Sequence, residues 1–92
     1  MPQENYAASS DVLAAHLPGE AVLLDMETKN YFRLNETAAW IWRELERGQG
    51  RSAILASLLA RYDVGEADAD AELSRILDEL AQRGLVKDGP QG

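Results

Sequence analysis

Hydrophobic and polar positions change their period along the chain, and each change marks an element. Ala21-Val22-Leu23-Leu24-Asp25-Met26 is a short apolar run, suited to a strand buried on at least one face. Glu27-Thr28-Lys29-Asn30 is polar and has the residue types of a turn. Tyr31-Phe32-Arg33-Leu34 is aromatic-rich and alternating, which predicts a second strand. Asn35 stops that strand and is placed to cap a helix. Its side chain can accept a hydrogen bond from a free first-turn amide, while Glu36 puts negative charge at the positive helix end. Ala38, Ile41, Trp42 and Leu45 then recur at helical spacing, predicting a helix over Glu36 to Arg47 with Gly48 as its stop. Trp40 lies off the centre of that stripe, so it either reaches the sheet or sits half exposed.

Upstream, residues 1–9 are small and polar and are expected to be loose. Asp11 to Leu17 reads as a strand or a single helical turn. The Pro18-Gly19 turn and the strand after it favour a strand, because sequential strands commonly pair. Downstream, Ile54, Leu55, Leu58, Leu59 and Tyr62 predict a helix over Ser52 to Tyr62. A third helix over Glu66 to Arg83 has Ala69, Leu73, Ile76, Leu77 and Leu80 as its apolar face. Its first turns are acidic, as the helix dipole prefers. Gly84 ends it, and Leu85-Val86 can fold back onto the core. The expected fold is therefore α+β: a three-stranded antiparallel sheet followed by three helices, winged helix-turn-helix-like. It forms one unit over residues 10–87, with flexible ends at 1–9 and 88–92.

Composition narrows the function. At 92 residues with 46% hydrophobic content, the chain can bury a core without staples, and having no cysteine it cannot use disulfides or thiolate metal sites. The absence of cysteine suits a reducing cytosol. The N-terminus shows no basic region followed by an apolar core, and no apolar run nears the ~20 residues of a membrane span, so the expected location is cytoplasmic. The net charge is −7, which disfavours a phosphate backbone unless the bases cluster. They do not: residues 66–80 hold Arg75 alone against Glu66, Asp68, Asp70, Glu72, Asp78 and Glu79. A winged-helix DNA-binding reading would need a basic recognition helix there. His16 is the only histidine and has no evident catalytic partner in the sequence. Gly48-Gln49-Gly50 lacks the rest of a phosphate loop, and no metal-ligand spacing is present. The reading is a binding module without catalytic residues, metal or cofactor. Its candidate site is the strand Asn30 to Leu34. That strand is last in the local sheet, and its open edge could accept a peptide as an added strand. The plain alternative is that the third helix or the tail covers that edge.

The ordered set of features resembles a known family. Leu23 to Leu45 (LLDMETKNYFRLNETAAWIWREL), then Ile54, Leu58 and Tyr62-Asp63-Val64, then Leu73, Ile76-Leu77, Leu80 and Gly84-Leu85-Val86, are similar to the PqqD-like family of RiPP recognition elements. The aromatic pair Tyr31-Phe32 and the Trp40-Ile41-Trp42 cluster look most like the stand-alone leader-binding branch of lasso-peptide biosynthesis. Two positions depart from the pattern. Glu72 stands where an Asp is frequent, and Asn30 replaces the usual turn glycine, a position that Asn fills by tolerating positive φ.

The resemblance implies a module that binds the leader of a ribosomally made precursor as an antiparallel strand beside the third strand and against the third helix. Its partners would be the precursor leader peptide, a separate leader peptidase (a transglutaminase-like cysteine protease) and, as a further candidate, the cyclase. Nucleic acid and membrane are not expected partners. Carried over by position, Asn30, Tyr31, Phe32 and Arg33 form the docking strand, while Ala69, Glu72, Leu73 and Ile76 share the facing side of the third helix. Plain core packing is an equal reading for Leu73. Tyr31 and Arg33 should project from one face, with Phe32 and Leu34 on the other and Leu34 in the core. A neighbouring reading keeps the fold and changes the partner, making the chain a peptide chaperone for a radical SAM maturation enzyme.

Overall fold

The computed structural model describes residues 6–88. The short apolar run and its flanking segments form one antiparallel sheet of β2 (Val12–Leu17), β3 (Glu20–Asp25) and β4 (Tyr31–Leu34), in that order. Asp11 to Leu17 is thus a strand, joined to β3 across Pro18-Gly19 with Leu17 opposite Glu20. Three helices follow: α1 (Glu36–Glu46), α2 (Arg51–Arg61) and α3 (Glu66–Gln82). The expected three-stranded sheet followed by three helices is the architecture observed.

Period-two alternation sets what each strand buries. In β3, Ala21, Leu23 and Asp25 are buried, while Glu20, Val22 and Leu24 are half-buried on the other face. The inner row meets α1, whose Ala38, Ile41, Trp42 and Leu45 are all buried. Trp42, Leu23, Ile41, Ile54, Leu73, Leu77 and Leu85 are the fully enclosed large side chains, drawn from the sheet, all three helices and the segment after them. Trp40 turns to α2 rather than to the sheet. Its indole N–H donates to Ser57 Oγ at 2.7 Å, and the Arg61 guanidinium stacks 4.4 Å from its ring centre.

The helix ends follow local chemistry. Asn35 Oδ1 accepts from the Ala38 N–H at 2.9 Å, the predicted cap. Gly48 (φ 80°) and Gly84 (φ 73°) supply left-handed stops, each followed by an amide reaching back to the fifth preceding carbonyl, Gln49 to Glu44 and Leu85 to Leu80, both 3.0 Å. The turn between β3 and β4 holds one departure from expectation. Lys29, and not Asn30, takes the positive φ of 65°. Asp25 makes this tolerable: its backbone carbonyl accepts from Lys29 N–H at 2.7 Å, and its Oδ1 accepts from Glu27 N–H at 2.9 Å.

The chain ends give the main correction. Residues 6–9 were expected to be loose and the fold to stop at 87. Instead β1 (Tyr6–Ala8) pairs antiparallel with β5 (Val86–Asp88), forming a second sheet of two strands. The cause lies in Leu85 and Val86. Both are buried, which holds their backbone at the surface of the core, and β1 satisfies its hydrogen-bonding groups there. Ser9 N–H extends the pairing to Leu85 carbonyl at 3.0 Å. The remainder of the expected flexible ends, residues 1–5 and 89–92, lies outside the described residues.

Candidate functional site: the open edge of β4 and the α3 groove

In the order β2-β3-β4, β4 is an outer strand. Its register places Leu34 opposite Ala21, Arg33 opposite Val22, Phe32 opposite Leu23 and Tyr31 opposite Leu24. β3 therefore occupies one side of β4, and no described strand pairs with the other side. Helix α3 does not close that side. A groove of about 440 Å³ lies between the two elements. β4 contributes Tyr31, Phe32, Arg33 and Leu34, and the start of α1 adds Asn35 and Ala38. The opposite wall is Arg75, Ile76, Glu79, Leu80 and Arg83, with Leu85 beyond.

The face assignments in β4 match the alternation. Tyr31 and Arg33 are exposed, Phe32 is half-buried against the core, and Leu34 is buried. The groove therefore has an apolar floor of Phe32, Leu34, Ile76, Leu80 and Leu85 beside a backbone edge with free hydrogen-bonding capacity. Its rim is charged and internally paired. Arg75 donates to both Glu72 oxygens (3.1 and 2.8 Å) and to Glu79 (3.2 Å), and Arg83 reaches Glu79 at 3.4 Å. This hydrogen bonding from Arg75 lowers the Glu72 carboxyl below the usual carboxylate range and raises Arg75. Arg83 also lies 5.4 Å from the centre of the Phe32 ring, linking the two walls. On β4, Arg33 pairs with Glu20 at 2.6 Å, which raises the Arg33 pKa.

Four of the eight residues expected at the site, Tyr31, Phe32, Arg33 and Ile76, come together in this groove. Asn30 does not line it. It is exposed just before β4, and its carbonyl accepts from Asp25 N–H at 2.9 Å to close the turn. Ala69 and Glu72 line a separate, largely apolar hollow of about 270 Å³ with Thr37, Leu58, Tyr62, Val64 and Asp68. The Tyr62 hydroxyl is buried there without a hydrogen-bond partner among the described residues. Leu73 is fully buried core. The groove wall of α3 thus sits one to two turns further along the helix than the sequence reading placed it. Positions 76, 79, 80 and 83 are its i, i+3, i+4 and i+7 series. That periodicity was visible in the sequence; which stretch of it lies beside β4 was not.

Other sites offered by composition do not assemble. His16 is exposed, its Nε2 2.9 Å from Glu46 Oε1, and it ties β2 to α1. Among the described residues no group of three His, Asp or Glu side chains could hold a metal ion, and no helix is long and apolar enough to cross a membrane.

Comparison with known proteins agrees with this geometry. Residues 20–86 match the family model described as coenzyme PQQ synthesis protein D (PqqD), so the chain belongs to the PqqD family, the RiPP recognition elements to which its sequence is similar. Two solved structures share the fold. One, described as TbiB1 in complex with the TbiA(beta) leader peptide, has 30% identity and a TM-score of 0.86, covering 92% of this chain and 99% of that one. The other, lasso peptide synthetase B1 complexed with the leader peptide, has 25% identity and a TM-score of 0.80, covering 90% and 98%. No curated protein sequence matches significantly.

Proposed function

We propose that this chain is a non-catalytic module that binds the leader of a ribosomally made precursor peptide, of the lasso class, and presents it to a separate leader peptidase in the cytoplasm. The observation that carries this reading is the open edge of β4 beside an apolar-floored groove. A disordered leader loses conformational entropy on docking, so it needs several backbone hydrogen bonds and at least one filled apolar pocket. The edge offers the first and the Phe32, Ile76 and Leu80 floor the second. The two structural relatives support the ligand class, since each is described as a complex with a leader peptide. In this reading the working unit includes residues 10–87 together with the β1–β5 pair, and Tyr31, Phe32, Arg33 and Ile76 touch the leader.

The test is titration of precursor leader peptides into isotope-labelled protein. Amide shifts should cluster in residues 30–35 and 75–83. Shifts centred on α2 would show that strand addition at β4 is the wrong mode. The PqqD family match keeps one second reading in view, in which the same groove serves a radical SAM maturation enzyme. Which maturation enzyme co-purifies with the leader-bound protein separates the two.

A further inference from the structure

Helix α3 is held near both of its ends, and the groove wall lies between the two ties. Its backbone packs chiefly against α2 and β5 rather than against β4. At the C-terminal end, the buried Leu85 and Val86 and the β1–β5 pair fix the helix to the core. Toward the other end, Arg51, the first residue of α2, reaches across to α3. Its Nη1 donates to Asp70 Oδ1 at 2.7 Å, and its Nη2 donates to the Asp70 carbonyl at 3.3 Å and to Ser74 Oγ. The Arg51 side chain is only 23% exposed. The α3 residues of the groove wall, within 75–83, span the gap between Ser74 and Leu85.

Helix α2 gains nothing of its own from an arginine here. Gly50 is the N-cap, and a cation in the first helical turn opposes the helix dipole. The apolar contacts of Leu73, Leu77 and Leu80 are non-directional, and packed helices can slide in shear. A guanidinium fork on acceptors one helical turn apart, at Asp70 and Ser74, resists both sliding and rotation of α3. We propose that Arg51 is a positioning residue for leader binding. It does not line the groove, yet it fixes where Ile76, Glu79, Leu80 and Arg83 stand relative to β4. The inference rests on the leader-binding reading. A groove wall set in advance spares the complex the cost of ordering it on docking.

The test uses Arg51→Met, Arg51→Lys and Ser74→Ala. Each is measured for leader-peptide affinity by calorimetric titration, for unfolding, and for amide shifts in the free protein. Affinity is read at a temperature where the unfolding curves show every variant fully folded, so a role confined to stability leaves it unchanged. The expected result is roughly fivefold weaker leader binding in Arg51→Met. Arg51→Lys keeps the charge without the fork and should recover part of that loss. Ser74→Ala keeps both bonds to Asp70 and should show a smaller loss. In free Arg51→Met, amide shifts should extend to residues 79–83, beyond the substituted contact. Wild-type affinity in all the folded variants overturns the proposal, as does an affinity loss with amides 79–83 unmoved. If Arg51→Met does not fold, Arg51→Lys and Ser74→Ala decide by the same criteria. Failure of the wild-type protein to bind any leader, with amides 79–83 still moving in the variants, would instead strike the reading on which the proposal rests.

Discussion

The sheet has two outer strands, and the candidate site lies beside one of them. Beside β4 lies the groove of about 440 Å³, floored by Phe32, Ile76 and Leu80. Near the end of β2 the corresponding hollow is about 90 Å³ and is lined by His16, Trp40, Arg43 and Arg61 among others. Both strands can offer backbone groups, so an open edge alone does not define a peptide site. What distinguishes β4 is the apolar floor beside it, with α3 set back far enough to leave room for side chains. Around this smaller hollow the contacts are instead polar and cation–π: His16 to Glu46 at 2.9 Å, and the Arg61–Trp40 stack.

Substitutions can break this contrast in graded ways. Trp42 is fully buried in the core shared by the sheet and the helices, with its indole N–H donating to Glu46 at 2.9 Å. Trp42→Ala should destabilise the protein by about 3–5 kcal/mol and erase both flanks together, read by thermal or denaturant unfolding. Phe32→Ala should act on one flank. We expect at least roughly tenfold weaker leader binding, about 1.4 kcal/mol, by calorimetric titration, whereas Arg47→Glu on the far side of α1 leaves affinity unchanged. Equal effects from the two would mean that the groove does not confer binding.

Asn35 joins the end of β4 to α1. Asn35→Ala removes the cap to Ala38 and should cost about 1 kcal/mol in unfolding free energy. The smallest effect belongs to the groove rim. The folded-state pKa of Glu72 is depressed, so its contribution is complete above the usual carboxylate range and is lost as pH falls through the folded value. Both partners are substantially exposed, at 42% and 57%, so Glu72→Gln should cost no more than about 1 kcal/mol at neutral pH. The difference between wild type and variant should vanish in acid, as measured by stability against pH.

What the sequence made legible was local. Asn35, Gly48 and Gly84 act through neighbours within five residues, and each stands where its chemistry predicted. The alternation of Tyr31 to Leu34 gave the correct faces for the same reason. What was hidden depends on distant partners. The position of α3 along β4 is fixed by how Leu73, Leu77 and Leu80 pack into the core, so the groove wall fell at 75–83 rather than 69–76. The turn shows the same limit on a smaller scale. Asn30 has the better propensity for positive φ, yet the hydrogen bonds to Asp25 assign that conformation to Lys29. The β1–β5 pair was least legible, since three-residue strands carry too little pattern to announce a partner some 80 positions away.

That pairing of Tyr6 with Asp88 makes the order of synthesis matter. Leu85 is completely enclosed and Val86 nearly so, which means the core lacks two of its members until the last strand has left the ribosome. A nascent chain ending at α3 would lack the buried Leu85 and Val86 and leave β1 without its mate. Folding is thus completed by a contact between residues some 80 positions apart, the kind whose loop-closure entropy slows formation. Synthesis itself becomes a checkpoint: a chain cut short at Gly84 would hold most of the groove residues and still lack the closure that fixes α3 in place.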